Sequence, residues 1–308
     1  MIAVLALLLT ASPELSVSHR SVKTPDHVAL ALYRYQRTGV TSAQPAVLLI
    51  PELGFSRAAY DFEGRGLARW LADLGLTVYV AELRGQGKAD PGMSLEALGG
   101  DLRVVLDALN VPTIDLVVHG WAGSLVLASN AKDSRIRRVV ALNTPLLAEP
   151  PSALAEAFLE DGGRFSSLAG SPQGARTFEL LFSMWSKFPR GTDRGFLSTG
   201  TRDLSRPVAA QLLAWMRQGD LPLPIGSIVS GMTSWRKPTL LLLGLADGFA
   251  APELCAVWRE RSNGAVTLRS FSRFETKEDF SHLSLLLGTH APEVVFPLVH
   301  GFLAGAPP

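Results

Sequence analysis

Short, wholly apolar runs alternate along this chain with longer stretches in which apolar residues recur at helical spacing. Ala46 to Ile50, Thr77 to Leu83, Ile114 to Val118, Arg138 to Leu142, Thr239 to Leu243 and Ala265 to Phe271 read as strands, the purely apolar ones covered on both faces. An earlier pair, near Ser16–Val22 and over residues 28–36, is joined by the turn Thr24-Pro25-Asp26. Helices are predicted from about Tyr60 to Leu74, from a Ser94 cap through Leu109, over Pro252–Arg261 and from about Pro292 to Leu303. Strands and helices in this alternation specify a doubly wound, mostly parallel sheet. Pro145, Pro150 and Pro151 interrupt it, and from there to about Trp235 only helical patterns follow. The chain therefore divides into a core, residues 1–144 and 236–308, and a helical cap insertion, residues 145–235.

Composition narrows the function classes. With 29 Lys+Arg against 28 Asp+Glu there is no basic surface to hold nucleic acid. The single cysteine, Cys255, rules out an internal disulfide framework and a cysteine-rich metal site, and reads as packing. No Gly-x-x-x-x-Gly-Lys loop and no His-Glu-x-x-His pair occurs, so neither nucleotide nor metal is expected as a cofactor. Ile2 to Leu9 followed by Thr10-Ala11-Ser12-Pro13 has the look of a signal-peptide end, but Arg20 is the first basic residue. A cytoplasmic location is therefore expected over secretion, and no run reaches the roughly 20 apolar residues needed to span a bilayer.

The sharpest local signal is Asp115 to Ala128, where the strand ending at Val118 breaks at His119-Gly120 and a helix resumes with Leu125, Leu127 and Ala128. A strand, a sharp turn and a helix of this kind project one side chain from a φ-positive tip. If His119 and Trp121 flank the tip, the tip is Gly120; if Gly123 is the trailing glycine, it is Trp121. Glycine adopts positive φ without a Cβ penalty, which favours Gly120. Ser124, a turn later, is expected to be buried in the helix or bonded to the preceding carbonyls, and His119 to pack beneath the turn.

With this turn, the segments Gly66-Leu67-Ala68-Arg69-Trp70-Leu71, Glu82-Leu83-Arg84-Gly85, Ser281-His282-Leu283-Ser284-Leu285-Leu286-Leu287-Gly288 and Ala291-Pro292-Glu293 resemble the α/β-hydrolase superfamily. Within it the chain looks like the lipase-like group that also contains polyhydroxyalkanoate synthases. The resemblance implies an α/β-hydrolase fold and acyl chemistry by a nucleophile, an acid and a histidine in that chain order. Carried over, the acid falls on Asp247, the base on His282, the nucleophile on Gly120, and the oxyanion loop on Pro51, Glu52 and Leu53, with Trp121 supplying the donor after the tip. The plainer alternatives are a loop aspartate that caps a helix and a histidine in an ordinary polar contact. Pro51 has no N–H to donate, and Glu52 would set a carboxylate where negative charge should be stabilised, unless it swings to solvent and pairs with Arg57.

A turn without a side chain cannot form an acyl-enzyme. The expectation is thus a pseudo-hydrolase with a degenerate triad that binds a small apolar or acyl ligand or a protein partner. The competing expectation is an enzyme in which His282, oriented by Asp247, works without a covalent serine intermediate. Phe178, Phe182, Trp185 and Trp215 of the cap are candidates for lining a pocket, or else form the cap's own core.

Overall fold

The structure is a computed structural model that describes residues 14–86, 93–146, 152–183, 186–220, 222–223, 226–276 and 278–306. The signal-like residues 2–13, and Trp185, lie outside the described residues.

The described residues form the strands β1 (Leu15–Lys23), β2 (Ala29–Arg37), β3 (Ala46–Ile50), β4 (Val78–Glu82), β5 (Ile114–His119), β6 (Ile136–Leu142), β7 (Pro222–Leu223), β8 (Gly226–Ser227), β9 (Thr239–Gly244) and β10 (Val266–Phe271). Eight build one sheet in the order β1-β2-β4-β3-β5-β6-β9-β10. The β1–β2 and β2–β4 pairs are antiparallel and every later pair is parallel. Strands β5 and β9 are buried at every position, which is why their sequences carry no alternation. Edge strand β1 is exposed over most of its length and correspondingly polar.

Helices α1 (Leu67–Asp73), α2 (Leu95–Leu109) and α3 (Gly120–Ser129) follow β3, β4 and β5. Between β6 and β9 come α4 (Ala153–Glu160), α5 (Phe165–Ala169), α6 (Pro172–Phe178), a π-helical turn Glu179–Ser183, α7 (Thr192–Thr199), α8 (Arg206–Gln218) and α9 (Ile228–Thr233). The chain closes with α10 (Pro252–Arg261), α11 (Arg273–Thr276), α12 (Ser284–Leu287) and α13 (Ala291–Ala304). Ser94 caps α2 as expected, accepting the Ala97 N–H, and Asn110 ends it in the left-handed region.

Two expectations need correction. The helix predicted from Tyr60 forms only from Leu67, because Glu63, Gly64 and Gly66 take φ of +51°, +77° and +137° and no helix passes through such residues. The insertion is not purely helical, since β7 and β8 pair within it as a short antiparallel ribbon. Their hydrophobic content is too brief to produce a readable period. Among the described residues no helix is long and apolar enough to cross a membrane.

Candidate active site

β5 ends at His119 and the chain turns into α3 at Gly120, whose φ of +54° is the left-handed conformation the sequence called for. The loops after β3 and β9 and the segment before α12 bring Glu52, Asp247 and His282 to this same end of the sheet, the carboxyl end of the parallel strands.

One half of the site is a carboxylate–imidazole pair. His282 Nδ1 donates to Asp247 Oδ2 at 2.7 Å. The other oxygen, Asp247 Oδ1, accepts the backbone N–H groups of Phe249 and Ala250, each at 2.8 Å, so the carboxylate is fixed in orientation. The aspartate therefore both caps the loop before α10 and orients the histidine. Beneath the pair, His119 Nε2 lies 3.1 Å from the His282 carbonyl oxygen, and the two rings sit 4.3 Å apart. Burial first, and then the neighbouring His282, hold His119 well below the usual histidine range, so this ring is the neutral one and donates to the carbonyl.

The other half is occupied by Glu52. Its Oε2 accepts the Trp121 N–H at 2.6 Å, and its Oε1 accepts the Ala122 N–H at 3.1 Å and the N–H of Leu53. A Cβ added at Gly120 would lie 1.5 Å from Glu52 Oε2 and 3.1 Å from His282 Cε1. The carboxylate thus fills the volume that a side chain at residue 120 would need. His282 Nε2 stands 3.5 Å from Glu52 Oε2, an ion-pair separation longer than a good hydrogen bond, and no described residue offers this nitrogen a closer partner.

The alternative in which Glu52 swings out to Arg57 does not occur: Arg57 pairs with Asp61, and the Glu52 side chain is 1% exposed. Nor does Pro51 deprive the loop of a donor, because the N–H that faces the carboxylate belongs to Leu53. Gln86, which sequence reasoning passed over, explains why the loop holds this shape. It is fully buried, its Nε2 donates to the carbonyls of Pro51 and Glu52, and its Oε1 accepts the Leu83 N–H. A lone glutamine in a turn carries no spacing signal that would have singled it out.

Charge follows from this geometry. Burial alone would lower the His282 pKa, but Asp247 and then Glu52 favour the imidazolium and together raise it to about 9. His282 is therefore a cation at neutral pH, held between two carboxylates. Burial, with Glu52 adding to it, drives the Tyr60 phenol far above its usual range, and its hydroxyl donates to the Ile50 carbonyl at 3.1 Å.

Aromatic rings close the site. Phe182, Phe249 and Phe55 place their ring centres 5.7, 5.6 and 6.1 Å from that of His282, and its side chain is 0% exposed. Phe178 backs Phe182 at 5.1 Å, whereas Trp215 packs edge-on against Trp121 at 4.6 Å. The insertion is stitched to both halves: Leu283 N–H donates to the Phe182 carbonyl at 2.7 Å, and Arg202 N–H to the Gly54 carbonyl at 2.6 Å. Ser124 is buried in the helix, the first of the two alternatives expected for it, and its hydroxyl donates to the Pro145 carbonyl. Cys255 is a buried free thiol. Among the described residues no group of three or more His, Cys, Asp or Glu is placed to hold a metal ion.

Solved structures share this architecture. A hydrolase from Pseudomonas aeruginosa is 20% identical, with a TM-score of 0.66 over 94% of this chain and 99% of its own. An esterase from Exiguobacterium antarcticum is 14% identical, with a TM-score of 0.71 over 94% and 100% of the two chains. A thermophilic esterase from Thermogutta terrifontis is 20% identical, with a TM-score of 0.61 over 93% and 98%. At these identities the likeness speaks for the fold alone. No curated protein matches the chain. The family model described as alpha/beta hydrolase fold matches residues 45–289, which span β3 to the segment that follows His282, and the chain belongs to that family.

Proposed function

We propose that this chain is a non-catalytic member of its family, a pseudo-hydrolase of lipase-like, polyhydroxyalkanoate-synthase-like ancestry in which Gly120 stands where the serine nucleophile would be. In this reading it serves by binding a small apolar molecule or a protein partner. The observation that carries the reading is the Glu52 carboxylate seated on the N–H groups of Trp121 and Ala122. Acyl transfer needs such donors free to receive the charge that develops on the carbonyl oxygen, and losing even one is worth about 2.7–4 kcal/mol of barrier. Here the Glu52 side chain already occupies them. Any substrate oxyanion would have to displace it or stand beside it.

The competing reading, in which His282 acts as a general base, is disfavoured by its charge. A base must be unprotonated at working pH, and a histidine with its pKa near 9 is not. Full burial under Phe55, Phe182 and Phe249 adds a second obstacle to substrate entry.

The test is a panel of short p-nitrophenyl esters, run with a serine-directed phosphonate probe on the same protein. No turnover beyond that of His282→Ala, and no probe adduct, are expected. Turnover that disappears in His282→Ala, or labelling of Ser124, would overturn the reading.

A further inference from the structure

The space above His282 is filled by the protein's own rings, so the binding half of the reading above needs a seat elsewhere. One exists at the seam between the insertion and the core. A cleft of about 190 Å³ is lined by Phe62 and Arg65 from the loop before α1, Thr192 at the start of α7, Leu286 from α12, and Pro292 and Phe296 from the first turns of α13. We propose that this cleft binds a small carboxylic acid with a compact apolar body, its carboxylate held by Arg65.

Size sets the body of the ligand. Drug-sized molecules occupy pockets of roughly 300–1,000 Å³. A dry apolar cavity of about 150 Å³ suffices for benzene, so the cleft suits one ring or a short chain plus a polar head. Chemistry sets the head. Among the described lining residues Arg65 is the one charged side chain, and the walls beside it are the faces of Phe62, Leu286 and Phe296, which are 5%, 2% and 1% exposed.

The guanidinium is free to be recruited. Its side chain is 53% exposed, and its partner Glu63 is 66% exposed, which makes theirs a solvent-screened pair of little net worth. The same nitrogen also lies a long 3.5 Å from Thr192 Oγ1, so neither of its contacts fixes the guanidinium against a competing carboxylate. Arginine presents two parallel donors to a carboxylate, a match that a neutral head group does not reproduce.

The cleft is also in contact with the buried site. Phe62 meets Phe196 at 6.0 Å, Phe196 meets Phe55 edge-on at 5.0 Å, and Phe55 meets His282 at 6.1 Å. Leu286 follows His282 on the same segment, which the Thr289 N–H ties to the Lys187 carbonyl of the insertion at 2.8 Å. A ligand wedged between Phe62 and Phe296 therefore presses on the elements that close over His282.

Isothermal titration of the full chain with benzoate, and with the neutral isostere benzamide, tests this directly. The unmodified protein should bind benzoate at least about tenfold tighter than benzamide, the margin of one charge-assisted contact. Arg65→Gln should abolish that preference, Arg176→Gln, on the exposed face of α6, should keep it, and Phe296→Trp should block both ligands by filling the cleft. No binding of benzoate at millimolar concentration, equal binding of the two ligands, or a preference that survives Arg65→Gln would each overturn the proposal. Should Phe296→Trp fail to fold, Arg65→Gln decides alone. The ester panel is unaffected by any of these outcomes, so failure of the cleft and failure of the non-catalytic reading are told apart.

Discussion

The Asp247 side of the site and the Gly120 side face each other across the His282 ring, and they differ in what holds them. On the first, a 2.7 Å contact and two backbone donors set a histidine–aspartate pair as a working hydrolase would need it. On the second, a carboxylate from the neighbouring loop sits where a side chain at residue 120 would have to be and holds the N–H groups of Trp121 and Ala122. In the proposed reading, an acid–histidine pair of this geometry is not by itself a sign of retained chemistry. In that reading the pair has a structural use, because the His282 imidazolium is buried between the carboxyl groups of Asp247 and Glu52. Breaking such an arrangement on one side is costly, and its individual members can persist for that reason alone.

The largest effect should come from removing Glu52. Glu52→Ala strands the His282 cation on that side together with three backbone N–H groups, and a loss of about 3–5 kcal/mol is expected in urea unfolding. A double-mutant cycle with His282→Ala should show strong coupling between the two. Additive losses would mean that the two halves are independent.

Next comes pH. The folded pKa of His282, near 9, lies above the unfolded value of 6.5, so its contribution is complete below pH 6.5 and is lost as pH rises through 9. Stability should fall over that window by on the order of 3 kcal/mol, and His282→Asn should flatten the profile. A stability that rises over the same window would contradict the placement of the charge.

A smaller effect separates crowding from backbone strain. Gly120→Ala and Gly39→Ala both place a Cβ at positive φ, +54° and +74°, but the first meets Glu52 at 1.5 Å and the second meets nothing within 4 Å. Gly39→Ala should cost about 1 kcal/mol, the lower end of such strain, and Gly120→Ala about 2 kcal/mol more by thermal unfolding. Equal costs would mean that the carboxylate moves aside freely.

Most of the sheet was legible because buried parallel strands leave unbroken apolar runs, as Ala46–Ile50 does to the residue. The φ-positive turn at Gly120 was legible from a local signal, whereas Asp247 and His282 were picked out by the family resemblance and not by any local pattern. The fate of Glu52 was not. Whether a carboxylate in that loop turns to Arg57 or inward depends on Gln86, Trp121 and Ala122, which lie 34 to 70 residues away and converge only in the folded chain. The helix start at Leu67 was missed although Gly64 and Gly66 are turn signals, because the apolar spacing from Tyr60 to Leu74 was followed across them and Glu63 carries no such signal.

The most direct test of Glu52 as the obstacle is kcat/KM on p-nitrophenyl butyrate for Gly120→Ser alone and for Gly120→Ser combined with Glu52→Gly. The single variant introduces a hydroxyl against the carboxylate and should stay near the unmodified protein. The double variant frees the Trp121 and Ala122 donors and removes one of the two anions that keep His282 protonated, so it should exceed the single by at least about tenfold, a conservative share of one oxyanion donor's worth. A single variant as active as the double would contradict the claim that Glu52 closes the site.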